Sequence, residues 1–327
     1  MPEYVGPALI DLQINGFAGV DFNADTSSAE DVARALDAME ATGVGLCLPT
    51  IITSSAEHFG ACARTILATR HPTIAGIHME GPYISPENGF RGAHPLAHVR
   101  AASVDDFDRR QDAADGTIRL VTLAPEVDGA IALTEVLADR GIRVAIGHTN
   151  GTSEQLADAV SAGATLSTHL GNGCPAILPR HPNVIWDQLA DDRLIASLIV
   201  DGQHLPAATV KVMVRTKTPA RCILVTDAMM AAGCPPGAYR IGDLEVELSA
   251  SGRVAAPGSA TLAGSSLKMD RAVVLTVRMA AITLAEAAAM ASTHPASFLG
   301  VEPRGEVEIT TADRDEDWRF EFVRPKV

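Results

Sequence analysis

Short apolar, β-branched runs recur along the chain, separated by longer Ala-rich stretches with helical periodicity. The runs at 8–14, 44–51, 73–79, 118–124, 142–148, 164–170, 194–200 and 221–227 are almost continuously apolar, as strands buried on both faces are. Between them, patterns such as 28–43 and 130–141 open on small or acidic residues and close at Gly, as helices do. Eight such units predict an α/β fold, a (β/α)8 TIM barrel. An open doubly wound sheet is the alternative, and eight units disfavour it. The interval 171–193 is rich in Pro and Gly and predicts no clear helix after the sixth strand.

After the eighth strand the period changes. Residues 235–256 alternate with period two around Gly turns and predict β-hairpins. A helical pair at 266–281 and 283–299 follows, and then an acidic end whose WRFEFV segment predicts a last strand. The expected organisation is a barrel of 8–227 and 266–300, with a small auxiliary β-rich region of 1–7, 228–265 and 301–327.

Composition narrows the partners. The 327 residues are 47% apolar, enough for a large core. Lys and Arg number 26 against 40 Asp and Glu, and a surface of that sign repels nucleic acid and anionic membranes. Cys47, Cys62, Cys174, Cys222 and Cys234 form no C-x-x-C pair, which suits reduced thiols and a cytoplasmic protein. No basic-then-apolar leader opens the chain, and the apolar stretch 272–291 is broken by Arg278 and Glu286, so no membrane span is expected.

Barrels of this kind carry their chemistry at the C-terminal ends of the strands. Polar groups stand there in the sequence: Gln13 and Asn15, Glu80, Glu126, His148, His169, Asp201 with His204, and Asp227. Glu80, His148 and His169 are the donor set that Zn²⁺ or Fe²⁺ takes in an open site with a position left for water. Asp227 has the chemistry to take and return a proton. Singly, each has an ordinary alternative: a hydrogen-bonded strand-end His, an ion-pairing Glu, a capping Asp. Together they outweigh it.

The ordered segments DLQINGFAGVDF, GIHMEGPYI with GFRGAH, LAPE, GHTN, THLGN, VDGQHLP, LVTDA and LAGSSLKM resemble those of the N-acetylglucosamine-6-phosphate deacetylases, within the amidohydrolases. The resemblance implies one divalent metal held by Glu80, His148 and His169, with Asp227 as acid/base and His94 on the acetyl carbonyl. It implies an amino-sugar phosphate met by His204, Asn172 and Gly173, a deacetylation releasing acetate, and a homodimer. Many amidohydrolases have H-x-H on the first strand; Gln13-Ile14-Asn15 stands here, and amides ligate transition metals poorly. A single metal is therefore expected, with Gln13 near its water or the substrate. Arg180 lies eleven residues after His169, where relatives place a phosphate-binding Arg, though in a changed context; a solvated loop Arg is the alternative. Another N-acyl substrate, or a catalytically silent binding barrel, remains open at this point. Only about eight residues precede the first strand, whereas family members begin with several strands there, so a reduced auxiliary region is expected.

Overall fold

In a computed structural model of the chain, residues 1–241, 244–259 and 261–325 are described. The barrel strands are Leu9–Ile14, Val44–Ile52, Ile77–Glu80, Ile118–Leu123, Arg143–Ile146, Ala164–Ser167, Ile195–Leu198 and Cys222–Leu224, hydrogen-bonded in chain order as one sheet. This is the (β/α)8 architecture that the alternation predicts. The chain divides into two compact units: Met1–Pro49, Thr65–Ala75 and Ile199–Val327 form one, and Thr50–Arg64 with Gly76–Leu198 form the other.

In the second unit the parallel register aligns Glu80 with Thr122, Thr122 with Ala145, and Ile146 with Ser167. Met79, Val121, Leu123, Ala145 and Ile146 are fully buried, which is why these strands read as apolar runs. The helices begin where side chains satisfy their first N–H groups. Thr152 and Gln155 form a reciprocal capping box on α5 (Ser153–Ser161), and Ser103 caps α3 (Val104–Ala113).

In the first unit the first barrel strand pairs with the second, Leu9 opposite Val44. Its far end meets the segment after the eighth strand through the Ile14–Ala228 bridge and an Asp227 N–H to Gln13 carbonyl bond of 2.8 Å. The flanking strands form two separate sheets. Tyr4–Pro7, Glu306–Thr310 and Arg319–Val323 make one, so WRFEFV does hold a strand; Gly237–Ile241, Leu244–Leu248 and Val254–Ala255 make the other.

Three elements differ from expectation. The third strand starts at Ile77, because Gly76 (φ 149°) breaks the run and Ile74 keeps only an isolated bridge to Cys47. A helix, α6 (Val184–Ala190), does follow the sixth strand, started by Asn183, whose side chain accepts from the N–H groups of Ile185 and Trp186. The segment 283–299 holds two helices, α9 (Leu284–Ala291) and α10 (Thr293–Leu299), split at Ser292 ahead of Pro295, which has no N–H to continue the ladder.

Candidate metal centre

Glu80 closes the third strand, while His148 and His169 each stand two residues beyond their own, the fifth and sixth. All three are buried. Both imidazoles occupy left-handed backbone, φ 51° at His148 and 28° at His169, which costs on the order of 1–3 kcal/mol each and needs a surrounding that enforces it. That surrounding is visible: the His169 N–H donates to Ser197 Oγ at 2.8 Å, and the Ser85 N–H to the His148 carbonyl at 2.9 Å.

The side chains then converge. His148 Nε2 lies 3.2 Å from Glu80 Oε1, His169 Nε2 lies 3.0 Å from the same oxygen, and the two nitrogens are 3.1 Å apart. His148 Nδ1 is 2.9 Å from the Phe90 carbonyl, which only accepts, so Nδ1 carries the proton and Nε2 turns a lone pair inward. A buried lone pair facing a carboxylate is repulsive unless a cation stands between them. Ligands at the usual zinc distances sit about 3.3 Å apart in a tetrahedral shell. The donor types, the tautomer and the spacing all fit one divalent ion.

His94 packs beside this triangle. Its ring centroid is 4.3 Å from that of His148, and its Nε2 lies 3.9 Å from Glu80 Oε2. Burial first, and then the neighbouring His148, push its pKa down to about 3, so the ring is neutral across the physiological range. Gly173, φ 58°, lies against the His148 ring: a Cβ there would meet Nδ1 at 2.9 Å. Asn172 closes the turn above, its backbone and side-chain N–H groups donating to the His169 carbonyl at 2.9 and 3.1 Å. Arg180 is exposed on the same loop, and among the described residues no ion-pair partner is seen for its guanidinium. Glu126, also at a strand end, accepts from the Thr149 hydroxyl and Asn150 N–H and so fixes the following loop.

In the other unit Asp227 stands in left-handed backbone, φ 48°, after the eighth strand. Its Oδ1 accepts from Gln13 Nε2 at 3.1 Å and from Asn15 Nδ2 at 2.7 Å. The amides in place of H-x-H thus orient a carboxylate. Beneath them Asp11 is fully buried and accepts from the Thr226 hydroxyl at 2.5 Å and its N–H at 3.2 Å. Burial pushes the Asp11 pKa up to about 7 against those hydrogen bonds. His204 is held by Asp201, whose Oδ2 lies 2.6 Å from Nδ1.

Thr53 and Asp11 were not singled out from the sequence. Thr53 directly follows Val44–Ile52, the one barrel strand whose end carries no titratable or amide group, and the switch from apolar to hydroxyl residues over 50–55 is its only signal.

A parallel barrel with this buried donor set is the build of a metal-dependent hydrolase, and the model of the Amidohydrolase family matches residues 4–309. An Escherichia coli N-acetylgalactosamine-6-phosphate deacetylase is 37% identical over 306 residues, 92% of this chain and 79% of its own. The Homo sapiens N-acetylglucosamine-6-phosphate deacetylase is 36% identical over 314 residues, 91% and 75% of the two chains. Among solved structures, a substituted form of the Mycobacterium smegmatis N-acetyl-D-glucosamine-6-phosphate deacetylase, in complex with N-acetyl-D-glucosamine-6-phosphate, superposes with a TM-score of 0.85 at 31% identity. That match covers 96% of this chain and 86% of the other. The chain belongs to the N-acetylglucosamine-6-phosphate deacetylases of the amidohydrolase family. Among the described residues, no helix is long and apolar enough to cross a membrane.

Proposed function

We propose that the protein hydrolyses the N-acetyl amide of N-acetylglucosamine 6-phosphate to glucosamine 6-phosphate and acetate. The buried triangle of Glu80, His148 and His169, in a chain of this family, carries that reading. One Zn²⁺ or Fe²⁺ suits two imidazoles and a carboxylate, and when bound it supplies a Lewis acid that lowers the pKa of water and polarises an acyl oxygen.

The chain's own groups do the rest. Neutral His94 offers an N–H to the acyl oxygen as negative charge develops there, an interaction often worth a few kcal/mol in such sites. Asp227 accepts the proton of the attacking water and delivers it to the departing amine nitrogen. Gln13 and Asn15 act through Asp227 by holding its Oδ1. The sugar phosphate is met by His204, by the turn at Asn172 and Gly173, and by the exposed Arg180 fork, the only strong cation expected in that loop. The five free cysteines suit a cytoplasmic setting, and a homodimer is the assembly that the resemblance suggests.

The second reading is the epimeric substrate, favoured by the 37% identity to an N-acetylgalactosamine-6-phosphate deacetylase. Acetate release from the two phosphorylated sugars and from unphosphorylated N-acetylglucosamine tests both. The proposal expects kcat/KM highest for N-acetylglucosamine 6-phosphate and at least a hundredfold lower without the phosphate. Equal turnover of the unphosphorylated sugar removes the phosphate from the account, and preference for the galactosamine epimer installs the second reading.

A further inference from the structure

We propose that Thr53 is a positioning residue that locks His94 in the tautomer with its proton on Nε2, and that buried Arg110 holds the Thr53 turn in place. The inference rests on the reading of His94 as the donor to the acyl oxygen. Its geometry stands independently of that reading.

His94 Nδ1 lies 2.8 Å from Thr53 Oγ1 and 3.4 Å from the Thr53 backbone nitrogen. A backbone N–H can only donate. Nδ1 is therefore the lone-pair nitrogen, the threonine hydroxyl donates to it as well, and Nε2 bears the ring hydrogen. The opposite tautomer would leave the Thr53 N–H without an acceptor. It would also turn a lone pair at Nε2 toward Glu80 Oε2, 3.9 Å away, and leave His94 no N–H to offer an acyl oxygen.

The turn after the second strand is itself pinned. Arg110 on α3 is fully buried, and it donates from Nη2 to the Ser54 carbonyl at 3.1 Å and from Nη1 to the Ser55 carbonyl at 3.5 Å. Its Nε reaches Asp106 Oδ2 at 3.0 Å, an oxygen that also accepts from the Tyr83 hydroxyl at 2.9 Å. Removing an arginine from water is costly unless its donors are met, and here Asp106 meets Nε while the backbone carbonyls of this turn meet both Nη groups. Gly81 shows how tightly the turn sits: a Cβ there would lie 2.1 Å from Thr53 Oγ1. The hydroxyl thus fills the space that the glycine after Glu80 leaves open.

Nitrogen chemical shifts of the His94 ring in the metal-loaded protein read the tautomer directly. The expected result is a protonated Nε2 and a lone pair at Nδ1; a proton on Nδ1 in the wild type overturns the proposal, whatever any variant does. Thr53→Val keeps the shape and removes the hydroxyl. It should mix the tautomers and lower kcat about tenfold, as loss of one hydrogen bond implies, with KM within threefold. Thr53→Ser should restore both. A Thr53→Val protein with unchanged tautomer and kcat also overturns it. Full turnover in His94→Asn would instead sink the role of His94 in catalysis while leaving the tautomer assignment standing.

Discussion

His148, His169 and Asp227 share a backbone conformation that side chains seldom adopt, each with positive φ just past a barrel strand. Such a conformation costs free energy and persists only where the surrounding structure enforces it. Asp227→Asn keeps the shape and the amide contacts but cannot take a proton. It should lower kcat by at least a thousandfold with metal content unchanged, measured by acetate release and metal analysis of the same sample. Asp11 gives a pH signature. Its folded pKa, about 7, lies above the ordinary aspartate value because of burial, so the native state keeps a proton that the unfolded chain releases. That contribution is full below the ordinary value and is lost as pH rises to about 7, on the order of 4 kcal/mol in all. Asp11→Asn should therefore narrow the fall in Tm between pH 5 and pH 8; an equal fall in both proteins would show that Asp11 is not the cause. The convergence of Glu80, His148 and His169 was legible because strand ends can be read from apolar runs and the polar residue that terminates each run is plain. The partners of Asp227 and His94 were not, since Gln13 and Thr53 are tied to them by hydrogen bonds across 214 and 41 residues.

The elements read best where burial on both faces left continuous apolar runs, as in Val44–Ile52 and Ile118–Leu123. They read worst where one side chain decides. The Asn183 cap starts α6 within a Pro-rich stretch, and Ser292 with Pro295 cuts one apparent helix in two. Nor does periodicity show which flanking strands pair, because Tyr4–Pro7 joins Glu306–Thr310 from the opposite end of the chain. A buried carboxylate on α1 (Ala29–Glu40) shares that region with the C-terminal strands. Glu40 accepts from Arg304 at 2.6 Å, from Arg324 at 2.7 Å and from the Thr73 hydroxyl at 3.2 Å, and Arg304 stacks over Phe322 at 5.2 Å. Burial raises the Glu40 carboxyl, but the two guanidinium groups outweigh it and hold it below the ordinary value. Arg304→Met should cost about 2 kcal/mol in denaturant unfolding, because Glu40 loses its more buried partner and keeps only the exposed Arg324 as a cation. Adding Glu40→Gln should recover much of that loss; a double variant no more stable than Arg304→Met would refute the pairing as the source.

At the scale of the molecule, the chain carries a formal net charge of −14, while the proposed substrate is itself an anion. The anionic substrate must then be drawn by local cations rather than by net charge, which makes binding less sensitive to ionic strength than electrostatic steering would. The barrel was legible in eight apolar runs and the family in the order of its signature segments; the division of the chain into two compact units was not, because it follows contacts rather than sequence breaks. The most direct measurement is acetate release from N-acetylglucosamine 6-phosphate by chelator-stripped protein titrated with Zn²⁺. The account predicts that activity starts near zero, rises linearly to one equivalent per chain and then stops. Full turnover in the stripped protein, or a rise that continues to two equivalents, would contradict it.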